Sequence, residues 1–423
     1  MKAKAKINIL LFVSILSIAF ARAQNHRFNL QPIDSLPCVV EDSAYLYFPG
    51  SHQVFDRLYA KLTAMLSKGQ GRINVLHIGG SHVQAGHFSG RMRSNLVSIT
   101  DSTSRWHSQP ADRGLVFPFK VLRTNAPSNY SISYTGQWSG SRCISQSPDA
   151  VLGLAGAAAI TRDSTATLTL SLGSDAWQFS QLHLLGYASS PMVYPVLVVD
   201  GDTIYPYPAD GTTGYLFPLP RYQSSCTLAF VGLGRGESFT VRGMLPFSGR
   251  AGITYSESGV NGAAVPSWLR CEAFGEELAL LPPDLVVFGI GINDAACTYD
   301  KFNPETFKQN YRDLIARIRK VNPNVALLFI TNNDCYQTVS IRRYNANTPR
   351  VEQAFKELAA EYDGCVFNVF RIMGGPRSAG HWVSQGLMQR DRVHFTKAGY
   401  LLIADLLYNA IIRDYEKTLK IEN

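Results

Sequence analysis

Over residues 52–68 the apolar positions recur at helical spacing. Val54, Phe55, Leu58, Leu62, Met65 and Leu66 share one face, and Gly69 supplies a stop signal. The period then changes. Ile73-Asn74-Val75-Leu76-His77-Ile78 reads as a strand that runs into Gly79-Gly80-Ser81. Far downstream, Leu285 to Ile290 is a continuous apolar run broken only by Gly289, the pattern of a strand buried on both faces. A helical stretch at about 304–320 follows, then a strand Ala326 to Ile330, a helix 349–361 and a strand Cys365 to Phe370. The last helix starts at Lys397, capped by Thr396, and presents Leu401, Leu402, Leu406, Leu407, Ile411 and Ile412. Strands alternating with helices imply an α/β fold, a parallel sheet with helices on both faces.

The middle of the chain has a different rhythm. From about 126 to 248 there are strand signals and no convincing helix, and no lysine occurs between Lys120 and Lys301. Leu168, Leu170 and Leu172 alternate with Thr and Ser. Val196 to Val199 meets Asp200-Gly201-Asp202, a hairpin signal. Cys226 to Val231 and Ser238 to Val241 read as further short strands. About 120 residues of this kind match one β-sandwich. The expected organisation is an α/β domain in two parts, 24–125 and 249–423, interrupted by a β-sandwich at 126–248.

Residues 1–23 read as a signal peptide: Lys2, Lys4 and Lys6, an apolar run from Ile7 to Phe20, then Ala21-Arg22-Ala23. That run is short for a span of about 20 residues, and nothing later is long and apolar enough to cross a bilayer. The expectation is an exported protein, periplasmic or extracellular, without a membrane span after signal removal. Cleavage removes four basic residues and no acid, so the formal charge falls from +8 to +4. With no Lys/Arg tract, that bias is too weak to suggest nucleic acid. Seven cysteines without a C-x-x-C pair argue against zinc. Cys143 with Cys226 is a conceivable bridge, and buried free thiols are an equal reading.

Candidate chemistry sits on loops after strands, where open parallel sheets place their sites. The loops are Gly79-Gly80-Ser81-His82, Gly259-Val260-Asn261-Gly262-Ala263 and Gly291-Ile292-Asn293-Asp294; Asp391-Arg392-Val393-His394 precedes the last helix. Serine ester hydrolysis needs a base, a carboxylate to orient it, and donors for the oxyanion. Ser81 would be the nucleophile, with His394 the base and Asp391 its orienting acid. The N–H groups of Ser81 and Gly262 and the Asn293 amide would serve the oxyanion. Asp294 reads as a loop or helix-start residue. His77, His82 and His87 are not spaced to share one helix face, which argues against a metal. The run Gly232-Leu233-Gly234-Arg235-Gly236 lacks the strand–helix context of a dinucleotide loop and a P-loop lysine. No cofactor is expected.

These four blocks, in this order, resemble the SGNH (GDSL-type) hydrolase family. The resemblance implies a three-layer, flavodoxin-like parallel sheet, with the family's Ser, Gly, Asn and His falling on Ser81, Gly262, Asn293 and His394. One departure stands out: the family usually has Gly-Asp-Ser in its first block, and this chain has Gly79-Gly80-Ser81. The separation of Ser81 and Gly262 by 181 positions, with Asp-Arg-Val-His near the end, resembles the peptidoglycan O-acetylesterases, in which a carbohydrate-binding-module-like domain interrupts the core. That likeness implies an acetylated glycan polymer as partner, peptidoglycan or another polysaccharide such as xylan. Aromatic residues of the insert, among them Tyr130, Tyr134, Trp138, Tyr205, Tyr207 and Tyr222, offer faces for sugar stacking or for packing. An acyltransferase on the same scaffold and a non-catalytic glycan-binding protein are the alternatives.

Overall fold

The computed structural model describes residues 28–100, 108–173, 177–208, 214–234, 236–338 and 342–421. The expected signal peptide lies outside them. Six strands form the central sheet: β1 (Leu46–Tyr47), β2 (Arg72–Gly79), β3 (Gly252–Gly259), β4 (Leu285–Gly289), β5 (Ala326–Ile330) and β6 (Cys365–Phe367). Their spatial order is β1-β6-β5-β4-β2-β3. All neighbours run parallel except the edge pair β1–β6. The strand order therefore reverses at β2: the chain moves to β3 on one side and then to β4 on the other. A reversal of that kind opens a crevice at the carboxyl ends of the strands.

Alternation along the strands explains their unbroken apolar runs. Val75, Val287 and Leu328 enter one core cluster, while Leu76, Ile78, Val286, Phe288, Leu327 and Phe329 enter the other. The first cluster is covered by α1 (Gln53–Lys68), α3 (His87–Leu96) and the long α7 (Lys397–Ile421), through Phe55, Met92, Leu407, Tyr408 and Ile411. The second is covered by α5 (Pro304–Val321) and α6 (Thr348–Tyr362), through Tyr311, Leu314, Ile315 and Phe355. Gly69, at φ 61, ends α1 as expected. Thr396 accepts the Gly399 N–H at the start of α7. The strand expected from Cys365 to Phe370 stops at Phe367. Asn368 turns the chain by accepting the Arg371 N–H, and Val369–Ile372 is a short helix.

Between β2 and β3 lie two antiparallel sheets. One joins Tyr207–Pro208, Tyr215–Gln223, Phe179–Ala188, Phe239–Phe247, Ala157–Thr161 and Trp138–Arg142 in that order; the other joins Ser131–Thr135, Thr167–Ser171, Ser225–Val231, Tyr194–Val199 and Asp202–Ile204. Asp200 (φ 52) and Gly201 (φ 92) close the expected hairpin, both in the left-handed region that a two-residue turn of this hand requires. The strand expected at Ser238–Val241 extends to Phe247 across a bulge between Val241 and Gly243.

The inserted sheets share the second core cluster with the α/β sheet: Phe239, Leu184 and Phe117 belong to it together with Trp268, Phe288 and Tyr311. All seven cysteines are free thiols. The thiol facing Cys143 is that of Cys271, beyond β3, and not that of Cys226.

Candidate active site

The crevice at the end of β2 collects the four loops. Gly80, extended at φ −98 and ψ −137, turns the chain so that Ser81 opens the short helix α2 (Ser81–Gln84), and the Val83 and Gln84 N–H groups return to the Gly80 carbonyl. A Cβ built on Gly80 would lie 3.3 Å from Asn293 Nδ2, 3.5 Å from the Ala263 carbonyl and 3.8 Å from that of Val260. The loops after β2, β3 and β4 therefore meet at Gly80. Gly262 sits there at φ +82, a conformation that L side chains rarely adopt, at the solvent-exposed tip of its loop.

Ser81 Oγ lies 2.8 Å from His394 Nε2, and His394 Nδ1 lies 2.7 Å from Asp391 Oδ2. A carboxylate can only accept, so Nδ1 carries the proton and Nε2 is left to accept from the serine hydroxyl. Asp391 also shapes its own turn: its Oδ1 accepts the Val393 and His394 N–H groups at 2.8 and 3.0 Å. Arg392 takes φ 58 to make this turn, and Asn333 Nδ2 and the Tyr336 N–H hold the Val393 and Arg392 carbonyls. Burial pushes the Asp391 carboxyl upward, but the hydrogen bonds from His394 and the two backbone amides outweigh it and leave it below the ordinary carboxylate range. The His394 and Asp391 side chains are 35% and 38% exposed, so the base faces an open surface rather than a closed cavity.

Asn293 and Asp294 tie the neighbouring loop down in complementary fashion. Asn293 Nδ2 donates to the Ala263 carbonyl at 2.9 Å, which leaves its second hydrogen available. Asp294, read as a loop or helix-start residue, lies in a loop, and both of its oxygens accept the Val265 N–H, capping the remote helix α4 (Val265–Leu269). Burial raises the Asp294 carboxyl to about 7. Ser81, His394 and Asp391 are thus linked directly, and Asn293 lies beside Gly80 and bonds to the Ala263 carbonyl, the residue after Gly262.

Sequence reasoning missed two further groups. His82 Nδ1 pairs with the Tyr400 hydroxyl at 2.9 Å, and its ring lies 5.3 Å from that of His394. Gln84 and Asn261 bond to Thr124 and Asn125, tying a segment that precedes the insert to the rim of the site. Neither carries a signal at sequence level, because each partner lies more than 35 residues away. His77 pairs with the Tyr255 hydroxyl. No group of three or more His, Cys, Asp or Glu suited to a metal occurs among the described residues. No helix among them is long and apolar enough to cross a membrane. Of the insert's aromatic residues, Tyr130 is buried with its hydroxyl on Phe117, whereas Tyr134, Tyr205, Tyr207 and Tyr222 are exposed.

The model of the GDSL-like lipase/acylhydrolase family matches residues 234–402, a span holding Gly262, Asn293, Asp391 and His394. A solved structure titled as a peptidoglycan O-acetylesterase in action aligns with a TM-score of 0.68 at 20% identity, covering 88% of this chain and 99% of its own. That match shows a shared fold through the inserted sheets as well as the α/β part. An acetyl xylan esterase structure and a GDSL-like lipase from Bacteroides thetaiotaomicron align over 38% of this chain, with TM-scores of 0.30 and 0.29 and identities of 18% and 19%; they cover 82% and 76% of their own chains. No curated protein matches the chain.

Proposed function

We propose that this chain, whose residues 234–402 match the GDSL-like lipase/acylhydrolase model, is a carboxylic ester hydrolase that removes acetyl groups from an O-acetylated glycan through an acyl-enzyme on Ser81. The observation that carries this reading is the continuous relay from Ser81 Oγ through His394 to Asp391, at 2.8 and 2.7 Å. His394 Nε2 takes the hydroxyl proton as Ser81 Oγ attacks the acetyl carbonyl, and Asp391 stabilises the imidazolium. The oxyanion of the tetrahedral intermediate is met by the N–H groups of Ser81 and Gly262 and the free hydrogen of the Asn293 amide. Collapse breaks the C–O bond to the sugar, whose oxygen leaves with the proton from His394. A water deprotonated by His394 then attacks acetyl-Ser81 and releases acetate, restoring the hydroxyl.

Two observations favour a polymeric carrier. The acid–base pair is about one-third exposed, which suits a small acyl group on a large body. The fold match to a chain titled a peptidoglycan O-acetylesterase extends over the inserted sheets. Peptidoglycan acetylated on a sugar hydroxyl is therefore the proposed substrate, met in the periplasm or outside the cell after removal of residues 1–23.

The test is acetate release from O-acetylated peptidoglycan by residues 24–423 and by the Ser81→Ala variant, with acetylated xylan as the specificity control. Release by the parent alone supports the proposal. Release from xylan but not peptidoglycan would move the substrate, and equal release by Ser81→Ala would overturn the assignment of the nucleophile.

A further inference from the structure

Behind the site, on the sheet face covered by α3 and α7, lies a cavity of about 40 Å³. Two of its walls, His82 and Phe395, are the chain neighbours of Ser81 and His394. Its lining is mostly apolar, with Val83, Phe88, Ile330 and Ile403 contributing, and among the described residues contains no Lys, Arg, Asp or Glu. Three buried nitrogen atoms belong to residues that line it and have no hydrogen-bond partner among the described residues: His77 Nε2, His82 Nε2 and Asn332 Nδ2. His77 is fully buried and Asn332 is 4% exposed. Gly289 leaves the first of these open, since a Cβ there would sit 2.8 Å from His77 Nε2.

Each imidazole is engaged on its other side by a phenol, His77 by Tyr255 and His82 by Tyr400. Burial holds both rings neutral, at about 3. A neutral ring presents either a donor or an acceptor at Nε2, depending on which way the phenol hydroxyl points, while Asn332 Nδ2 can only donate. An anion can only accept, and no lining side chain offers a positive charge to offset it. Water satisfies all three nitrogens in either tautomer, and the volume has room for about two or three molecules.

We propose that this cavity is a built-in solvent site, in which ordered waters bridge His77 Nε2, His82 Nε2 and Asn332 Nδ2. The site stands on its own geometry, whatever ester the enzyme hydrolyses.

A high-resolution crystal structure of the chain from residue 24, grown with bromide in place of chloride, tests it. The expected result is solvent density within about 2.7–3.2 Å of all three nitrogens and no anomalous bromide peak. A cavity without density, or one holding bromide, would overturn the proposal. In solution, oxygen-17 relaxation dispersion should count fewer long-lived waters in Asn332→Leu than in the parent; an unchanged count speaks against the site. Should that variant fail to fold, the crystal of the parent decides alone.

Discussion

At the scale of single residues, the relay makes graded predictions. His394→Ala removes the base and should lower kcat by about 10⁴–10⁶. Asp391→Asn keeps an oxygen for the Val393 and His394 amides, so the turn survives, but its amide nitrogen stabilises the wrong tautomer. A loss of about 10⁴ in kcat, with unfolding midpoint unchanged, is expected. Gly80 matters for a different reason. A methyl group there would sit 3.3 Å from Asn293 Nδ2, whose amide is already committed to the Ala263 carbonyl, so it must push that donor aside. Gly80→Ala should cut kcat by roughly tenfold or more while KM stays near its parent value, because a displaced oxyanion donor acts chiefly in the transition state. Ester hydrolysis at saturating substrate decides it. His77 supplies a pH prediction. Its folded form stays neutral down to about 3, whereas the unfolded ring takes up a proton below its ordinary 6.5. The unfolded state then binds more protons, so stability falls as pH drops from about 6.5 toward 3. Urea unfolding across that window should show a slope that His77→Gln reduces.

At the scale of elements, the site depends on how closely α2 sits against the sheet. A Cβ on Gly259, the last residue of β3, would lie 2.4 Å from the Gln84 nitrogen and 2.9 Å from its Cα. Both contacts are backbone, so nothing can rotate away. Gly259→Ala should therefore cost about 2 kcal/mol or more in urea unfolding, and lower activity by tilting the helix that carries Ser81. The helices and most sheet strands were legible because burial on one or both faces leaves a period in the chain. The end of β6 was not, since Phe367 and Phe370 are both buried and apolar whether the chain runs straight or turns. The Asn368 cap decides that point, and its effect requires knowing where the Arg371 amide lies. The strand Phe239–Phe247 was read short for a related reason: Gly243 and Pro246 look like breakers until a bulge and a neighbouring strand account for them.

At the scale of the molecule, the inserted sheets and the α/β sheet share one apolar core. Besides the shared apolar cluster, Arg242 on the Phe239–Phe247 strand lies 2.6 Å from Glu277, with both side chains buried, and Glu277 also accepts the Leu154 amide. Burial raises the Glu277 carboxyl to about 7 despite the guanidinium. Arg242→Met would strand that carboxyl, and a loss of about 3–5 kcal/mol is expected, partly recovered by adding Glu277→Gln. With cores joined in this way, calorimetry should give a single transition whose calorimetric and van't Hoff enthalpies agree. Two separated transitions would show that the insert folds independently.

The alternation of strands and helices, the β-rich insert and the blocks carrying Ser81, Gly262, Asn293, Asp391 and His394 are legible in the chain before it folds. Each is written locally, as periodicity, as a turn residue or as a short block such as Asp391-Arg392-Val393-His394. What those blocks touch is settled by folding: Tyr400 on His82, Asn293 on Ala263, Cys143 facing Cys271 rather than Cys226, and the core shared by insert and sheet. The two differ in range. A hydrophobic period or a capping residue acts within a few positions of itself, whereas a hydrogen bond or a packed face between residues 30 or 300 positions apart exists only once the chain has closed.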